Sequence, residues 1–344
     1  MLLRWGICGS GKISVDFALS LSLLKPDEHK LTAVAASSLE RATEFAKKLK
    51  LNEDTRIFGS YDQLFKSSDV DVVYVGLVNF KHKQAVLEAL KHKKHVLSEK
   101  PIGLNAAEVR LMVDCARENQ RFLMEGYWTR FFPVWREIKA KISSGAIGEV
   151  NLFSADFGYT RPIDDKMLPE FGGGCLLRVG CYLPMLACFV FEQRPVSVSA
   201  TGHRTESGTD ETATVTMQFS GNKMAQLLYS FSSALPCQAN ICGTNGRLQI
   251  PSHVWAPTDL VITKSAGKEE RSERSHFPLP EKADDLKFNY ANGSGMVYEQ
   301  QCVRDCIMSG KTECADMSWN DSIGLAEILD EIRKQLGVKF PQDT

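Results

Sequence analysis

Residues 3–14 read LRWGICGSGKIS, an apolar run that ends in two glycines separated by a single residue. The pattern predicts a strand over Leu3–Cys8 and a helix that begins at Lys12. Gly9 permits the tight turn between these two elements, and Gly11 lets the backbone approach a bound pyrophosphate. The segment therefore predicts a dinucleotide-binding turn, with a plain tight turn as the alternative.

The first turn of that helix carries Lys12 and Ile13, followed by the small residue Ser14. The N–H groups of a helix N-terminus and its positive dipole end stabilise phosphates. A small residue at the third position of the fingerprint permits close packing of helix on strand. We therefore expect Lys12 and Ile13 to belong to the cofactor site.

Outward from this turn, strand and helix patterns alternate over the first 125 residues. The further predicted strands span residues 30–36, 70–75, 95–98 and 122–124, and the further predicted helices span residues 39–49, 81–93 and 106–118. Such alternation predicts a parallel, doubly wound sheet, hence a Rossmann domain over residues 1–125.

The pattern changes after residue 130. Helices are predicted over residues 134–143, 176–191, 296–308 and 318–336, and strands over residues 150–157, 196–201, 212–219, 223–231, 247–250 and 260–264. Consecutive strands without helices between them predict a largely antiparallel sheet with one open face. Residues 265–285 are predicted to form a surface loop. Residues 126–344 are thus expected to form an α+β domain for substrate binding and dimerisation, whose C-terminal helix could pack back on the first domain.

Length and charge limit the classes of protein. The chain has 344 residues, more than one core usually holds, so two domains are expected. Its formal net charge of -1 gives no attraction to nucleic acid or to acidic membranes. The start does not resemble a secretory signal, and we find no apolar stretch long enough to span a bilayer. We expect a cytoplasmic protein with neither nucleic acid nor membrane as a partner.

Ten cysteines are scattered through the sequence without a Cys-x-x-Cys pair. Cys302 and Cys306 lie one helical turn apart, but no matching pair of cysteines or histidines accompanies them. We therefore expect reduced thiols and no metal site.

The end of the second strand indicates which nicotinamide cofactor is used. Proteins specific for NAD usually carry Asp or Glu here to bind the ribose 2′-hydroxyl. This chain carries Ser37 and Ser38 instead, with Arg41 one turn later. Two hydroxyls and a guanidinium suit a 2′-phosphate, because arginine pairs with phosphate oxygens. NADP(H) is favoured, although Arg41 could simply face solvent.

Ser98-Glu99-Lys100-Pro101 follows a buried strand, at the sheet edge where open α/β sheets bind their ligands. An ammonium beside a nicotinamide can hydrogen-bond a substrate oxygen and stabilise the negative charge that develops there. The alternative for Lys100 is a solvated surface charge.

Glu99-Lys100-Pro101, after a dinucleotide fingerprint, resembles the Gfo/Idh/MocA oxidoreductase family. The resemblance continues through residues 105–108, 172–174 and 180–182 and covers essentially the whole chain. It implies hydride transfer between a nicotinamide cofactor and a small hydroxylated substrate.

A narrower resemblance joins residues 128–133, residues 243–246, Trp255 and residues 337–343. These stretches are similar to the homodimeric branch of the family that oxidises trans-dihydrobenzenediols to catechols with NADP and also acts on D-xylose. We therefore expect a homodimer formed through the open sheet.

The resemblance also implies roles for single residues. Tyr182 would accept the proton of the substrate hydroxyl, with Lys100 beside it lowering the pKa of the phenol. The other implied cofactor contacts are Tyr74, His82, Glu99, Trp128 and Arg130, and the other implied substrate contacts are Trp128, Phe157, Arg178 and Trp255. From composition alone, these aromatic residues would be core residues and His82 a residue on a helix face.

One position departs from the family pattern. The family carries an aspartate four residues before Tyr182, where this chain has Arg178. A second cation would disfavour protonated Lys100 and favour tyrosinate, or repel the catalytic side chains. Three hypotheses therefore stay open: an NADP-dependent dehydrogenase of trans-dihydrodiols and D-xylose, a sugar or polyol dehydrogenase with another substrate, and a catalytically silent NADP-binding protein.

Overall fold

A computed structural model describes residues 2–162, 167–266, 269–281 and 286–343. The chain divides into two compact units, the first formed by Met1–Phe131 with Leu279–Ile323 and the second by Phe132–Pro278 with Gly324–Thr344. Leu279–Ile323 thus joins the first unit, whereas the sequence-based division placed everything after residue 125 in the second domain.

The helices of the described residues begin and end as follows: α1 Lys12–Leu21, α2 Leu39–Leu49, α3 Tyr61–Lys66, α4 His82–Lys91, α5 Ala106–Asn119, α6 Pro133–Ser143, α7 Tyr182–Phe191, α8 Val297–Met308 and α9 Trp319–Leu336. A π-helical turn, Leu176–Gly180, precedes α7 and interrupts the single helix predicted over residues 176–191.

The first unit contains a six-stranded sheet of order β3-β2-β1-β4-β5-β6. Its strands are β1 Leu3–Cys8, β2 His29–Ala35, β3 Arg56–Phe58, β4 Val72–Val75, β5 His95–Glu99 and β6 Leu123–Gly126. Every neighbouring pair is parallel, which confirms the predicted Rossmann sheet. The order reverses between β1 and β4, and ligands of open α/β sheets bind beyond the strand ends at such a switch point.

Two short elements of this unit were not predicted. The edge strand β3 has three residues that are all at least partly exposed, and α3 has six residues. Elements this short bury too little apolar surface to leave a periodic pattern in the sequence.

The second unit contains an eight-stranded sheet of order β14-β13-β12-β11-β7-β10-β9-β8. Its strands are β7 Val150–Gly158, β8 Ser197–Arg204, β9 Asp210–Phe219, β10 Lys223–Ser230, β11 Ala239–Gly243, β12 Gly246–Ile250, β13 Asp259–Ala266 and β14 Glu269–His276. All neighbours are antiparallel except β7 and β10, which run parallel. The predicted, largely antiparallel sheet is confirmed.

The surface loop predicted over residues 265–285 is wrong for much of its length. β13 continues to Ala266, and Glu269–His276 forms the edge strand β14, which pairs along the whole of β13. The sequence EERSERSH did not indicate a strand because its residues are charged or polar on both faces. Such a composition protects edge strands from unwanted pairing. Residues 267–268 and 282–285 of the predicted loop lie outside the described residues.

The two faces of the large sheet differ. α7 is apolar on all sides and packs on β7 and β10, where Phe153 and Leu227 are buried. On the other face Leu152 is 52% exposed and its neighbour on β10, Met224, is 39% exposed. The described part of the chain contains no single helix with the length and apolarity to cross a membrane; one bent pair, Pro169–Gly180 with Tyr182–Phe191, meets those two criteria.

Candidate active site

The glycine turn after β1 has the geometry that a pyrophosphate requires. Gly9 has φ +112°, and a Cβ there would lie 2.6 Å from the carbonyl oxygen of Gly76, so only glycine fits. Gly11 has an ordinary φ of -77°, and a Cβ there would meet only Gly76 O, at 3.8 Å. Nothing in the described fold demands glycine at position 11, whereas close approach of a bound phosphate would.

Helix α1 begins immediately after this turn. Gly11 is its N-cap residue and has no side chain with which to pair the first N–H groups. Lys12 is exposed, Ile13 is half-buried, and the buried hydroxyl of Ser14 donates a hydrogen bond of 3.3 Å to Gly76 O. The helix therefore packs closely on the end of β4, and the first N–H groups at its N-terminus have no intrahelical partner, so the residues present fit a dinucleotide.

The end of β2 carries the group expected for a 2′-phosphate. The exposed guanidinium of Arg41 donates from Nη1 to Ser37 Oγ at 3.3 Å, and Ser37 is also exposed. Ser38 is occupied differently, because its Oγ caps α2 by accepting from the backbone N–H of Arg41. Ser37 and Arg41 thus form an exposed hydroxyl–guanidinium pair, while Ser38 holds the helix that carries the arginine.

Tyr74 and Glu99 form a buried pair at the ends of β4 and β5. Tyr74 stacks on Phe17 of α1, with ring centroids 3.7 Å apart, and its phenol donates a hydrogen bond of 2.8 Å to Glu99 Oε1. Burial raises the pKa of Tyr74 well above its usual value, so the phenol keeps its proton. The predicted contact of Tyr74 with the cofactor stays a prediction. The ring is fully buried, and its phenol hydrogen-bonds to Glu99.

Glu99 links this pair to Lys100. Its Oε2 accepts a hydrogen bond of 3.3 Å from the backbone N–H of Lys100. Burial raises the pKa of Glu99, while the charge of Lys100 and the phenol of Tyr74 act in the opposite direction. Lys100 itself is half-buried and is joined to Pro101 by a cis peptide bond.

His82 lies at the start of α4 and is fully buried. Its Nδ1 is 2.9 Å from the carbonyl oxygen of Pro101, and its Nε2 is 3.0 Å from that of Leu77. Burial lowers the pKa of the imidazole, although both carbonyls favour the charged form. His82 therefore joins the loops that follow β4 and β5.

Trp128 and Arg130 lie in the short helical turn after β6, and both are buried. Arg130 Nη1 donates to Asp316 O at 2.8 Å and approaches Asp321 Oδ2 at 3.2 Å. The sequence prediction missed Glu125, a buried carboxyl on β6 that accepts from the backbone N–H of Ile102 at 2.9 Å. Burial raises the pKa of Glu125 to about 7.

A second buried carboxyl that the sequence did not reveal is Glu299 of α8, which is fully buried. Neither of its carboxylate oxygens has a hydrogen-bond partner within the described part of the chain. Burial raises its pKa well above the usual value, and the nearby charge of Glu99 adds to this effect. Both effects favour the neutral form of Glu299.

The second unit brings three of the predicted substrate contacts together. Phe157 stacks on Trp255 with ring centroids 4.4 Å apart and planes 10° from parallel. The ring of Tyr182 lies 5.8 Å from that of Phe157. The two stacked rings and the phenol therefore form one aromatic cluster in the second unit.

Arg178 lies in the π-helical turn before Tyr182 and is half-buried. The turn is closed by a bond from Cys181 N–H to Leu176 O, and π turns recur at functional sites. The buried carboxylate of Asp210 accepts from the N–H of Leu176 at 2.5 Å and so fixes the start of this turn.

Asp210 also explains the glycine at position 174, within the stretch 172–174 that resembles the family. A side chain at Gly174, which has φ +119°, would collide with Asp210 Oδ1, so glycine lets this carboxylate reach the turn. Asp210 was not predicted from the sequence because only tertiary packing brings it to Leu176.

These features define a nicotinamide-dependent oxidoreductase with a Rossmann domain. Residues 3–127 match the model of the oxidoreductase family with an NAD-binding Rossmann fold, and residues 135–249 match the GFO/IDH/MocA C-terminal domain. The chain therefore belongs to the Gfo/Idh/MocA oxidoreductase family.

Curated relatives match along the whole chain. The chain is 42% identical to trans-1,2-dihydrobenzene-1,2-diol dehydrogenase of Xenopus laevis, over 99% of this chain and 100% of that protein. It is 40% identical to the protein of the same name from Homo sapiens, over 100% of this chain and 99% of that protein.

Solved structures share the fold. An aldose–aldose oxidoreductase from Caulobacter crescentus, complexed with glycerol, superposes with a TM-score of 0.83 at 20% identity, over 98% of each chain. A 3-ketoreductase from Actinomadura kijaniata, in complex with NADP, superposes with a TM-score of 0.79 at 22% identity, over 99% of each chain.

Proposed function

We propose that this protein is an NADP-dependent dehydrogenase that oxidises a hydroxyl-bearing carbon of trans-1,2-dihydrobenzene-1,2-diol. The observation that carries the proposal is the open turn at Gly11 under the uncapped end of α1, in a chain about 40% identical to dehydrogenases of that diol along its whole length. The exposed Ser37–Arg41 pair supports NADP over NAD, since a guanidinium binds a 2′-phosphate.

Lys100 and Tyr182 are the proposed catalytic residues. Tyr182 accepts the proton of the substrate hydroxyl, and the ammonium of Lys100 stabilises both the phenolate and the negative charge that develops on the substrate oxygen. NADP, when bound, supplies the hydride acceptor. The substrate loses one hydride and one proton, so the alcohol becomes a ketone, and the ketone of the diol tautomerises to catechol.

Glu99 and His82 are proposed to position Lys100. The Glu99 carboxylate accepts from the Lys100 backbone, and His82 holds the carbonyl of Pro101. Trp128 and Arg130 are proposed to contact the cofactor, and Phe157, Arg178 and Trp255 to contact the substrate.

D-Xylose is proposed as a second substrate, oxidised at its anomeric hydroxyl to a lactone by the same loss of a hydride and a proton. The stacked rings of Phe157 and Trp255 favour the unsaturated ring of the diol, since sugars also require polar contacts. Another sugar or polyol remains the alternative substrate class.

The half-buried cation at Arg178 specifically favours one other hypothesis, a catalytically silent NADP-binding protein.

The purified full-length chain, mixed with NADP and either trans-dihydrodiol or D-xylose, should give a rising absorbance at the reduced-nicotinamide band. Equal turnover of a broad sugar panel with none of the diol would favour a polyol dehydrogenase. No turnover in the natural chain, together with turnover in Arg178→Asp, would establish the silent protein.

We also propose a cytoplasmic homodimer that forms through the open face of the large sheet. Leu152 and Met224, neighbours on adjacent strands, expose apolar surface at the middle of this face. All ten cysteines lie in the described part of the chain and remain thiols, as a reducing compartment would maintain them. Light scattering should give twice the mass of the chain at micromolar concentration, and Leu152→Asp should give the monomer.

A further inference from the structure

Three cysteine side chains converge at the end of α8, apart from the residues discussed above. Cys302 and Cys306 lie one turn apart on this helix, and Cys314 comes from the segment that follows it. The three Sγ atoms all lie within 4.8 Å of one another, and those of Cys302 and Cys314 are 3.4 Å apart. Cys314, a single cysteine that was not connected with Cys302 and Cys306 from the sequence, therefore completes a group of three thiols.

The backbone brings Cys314 to this position without help from the thiols. The N–H of Lys311 returns to Cys306 O at 3.0 Å, which reverses the chain after α8. The carbonyl of Thr312 then accepts from Leu123 N–H at 3.0 Å, which ties the segment to β6. The indole of Trp319 donates to Leu123 O at 3.0 Å on the far side of Cys314. The three sulfurs are thus held in a preformed arrangement.

The burial of the cluster suits a bound cation. Cys306 and Cys314 are 6% and 2% exposed, while Cys302 is half-buried, so the cluster opens towards solvent on one side. Three thiolates around Zn²⁺, with Zn–S bonds of about 2.3 Å in tetrahedral geometry, require sulfurs about 3.8 Å apart. The sulfurs of Cys302 and Cys314 are 3.4 Å apart and no pair is farther apart than 4.8 Å, so small side-chain rotations suffice.

We propose that Cys302, Cys306 and Cys314 form a binding site for a thiophilic cation, Zn²⁺ or Cu⁺. Thiolate is the ligand that these two ions prefer among protein side chains. Three thiolates complete trigonal coordination of Cu⁺, and they leave one position of tetrahedral Zn²⁺ for water on the side of Cys302.

The cation would connect two parts of the first unit. Cys314 precedes Asp316, whose carbonyl accepts the hydrogen bond from Arg130. A metal that fixes Cys314 to α8 therefore stabilises the segment against which Arg130 packs. Because the ion binds the folded chain, thermal stability should rise with its free concentration.

The test uses the full-length chain, reduced and stripped of metal. Co²⁺ should give thiolate-to-metal charge-transfer and tetrahedral d–d bands that saturate at one ion per chain. Zn²⁺ should displace Co²⁺ in competition with a chromophoric chelator, and Cu⁺ is titrated anaerobically against a Cu⁺ chelator, so the two competitions show which ion is held more tightly. Cys302→Ser, Cys306→Ser and Cys314→Ser should each weaken binding at least tenfold, whereas Cys242→Ser on β11 should leave it unchanged.

Circular dichroism of each metal-free variant shows whether it is folded, so a loss of binding can be assigned to the missing ligand. Uptake that persists in folded Cys314→Ser would overturn the proposal. So would a reduced chain that takes up no ion and whose three thiols respond only to diamide, by forming a Cys302–Cys314 disulfide.

Discussion

The phenol of Tyr74 donates a hydrogen bond of 2.8 Å to the buried carboxylate of Glu99, the residue immediately before Lys100. Burial favours the neutral form of Glu99, and this hydrogen bond is one of the contacts that favour its charged form. A charged Glu99 beside Lys100 supports the ammonium on which the proposed reaction depends. The hydrogen bond between Tyr74 and Glu99 therefore joins the ends of β4 and β5 and favours the charged form of the Glu99 carboxyl.

Tyr74→Phe should consequently raise the pKa of Glu99. A hydrogen bond to a charged group contributes about 1.5–3 kcal/mol, which corresponds to about one to two pH units. The acid limb of the kcat/KM profile should move to higher pH by that amount. Phe17→Leu is the matched control, because it disturbs the ring stacked on Tyr74 and leaves the phenol in place. Identical acid limbs in Tyr74→Phe and the natural chain would exclude this role for Tyr74.

Lys100→Met and Tyr182→Phe should each lower kcat about a hundredfold or more, the usual effect of losing an acid–base group. NADP affinity should change much less in Tyr182→Phe, since the substitution removes one hydroxyl. Two controls are Lys91→Met, at an exposed lysine paired with Glu88, and Tyr159→Phe, at an exposed ring beside Phe157. Steady-state kinetics with the diol measure all four variants, and near-normal kcat in either test variant removes that residue from the mechanism.

Gly11→Val should weaken NADP binding at least tenfold while leaving the fold intact. A Cβ at this position meets only Gly76 O at 3.8 Å, so the described fold accepts it, whereas a bound pyrophosphate would be blocked. Fluorescence titration of NADP and a thermal melt give the two readouts. Unchanged affinity would show that phosphate does not approach this turn, and a large loss of thermal stability would show that glycine serves the fold.

Arg41→Ala should reduce the preference for NADP over NAD. Because an exposed guanidinium can pair with the 2′-phosphate that NADP carries and NAD lacks, NADP affinity should fall about tenfold or more and NAD affinity should stay constant. Lys47→Ala, which removes a cation from the last turn of the same helix, is the control. Parallel losses for both cofactors would contradict the assignment of Arg41 to the 2′-phosphate.

Local sequence predicted the features that local chemistry determines. The turn at Gly9 and Gly11 follows from glycine next to an apolar run, and the parallel sheet follows from strands that alternate with helices. Features set by partners distant in sequence were missed: Asp210 reaches Leu176, and Cys314 reaches α8. Strand β14 was missed because its polar residues pair with β13 while both faces stay exposed.

The direction in which a side chain points also could not be predicted from the sequence. His82 was predicted at the cofactor from the family resemblance, and on a helix face from the sequence pattern alone. The structure turns both ring nitrogens towards backbone carbonyls, at Pro101 and Leu77. Periodicity places a residue on a helix face, but hydrogen-bonding partners in neighbouring loops decide what the ring contacts.

Glu125→Gln should stabilise the protein at neutral pH. Burial raises the pKa of Glu125 from 4.5 to about 7, so the folded chain holds this proton more tightly than the unfolded chain. The resulting stability is complete below about pH 4.5 and is lost as the pH rises through about 7. The difference between the two pKa values corresponds to at most about 3 kcal/mol.

Glutamine stays neutral and keeps an oxygen for the N–H of Ile102, so urea unfolding of Glu125→Gln should lose less free energy between pH 6 and pH 8 than the natural chain. Asp210, whose pKa burial raises to about 6, titrates mainly below this window in both proteins. Glu88→Gln, at an exposed carboxylate paired with Lys91, should follow the natural chain over this window. If Glu125→Gln also follows the natural chain from pH 6 to pH 8, Glu125 is already ionised at pH 6 in the folded protein, and its pKa lies below this window.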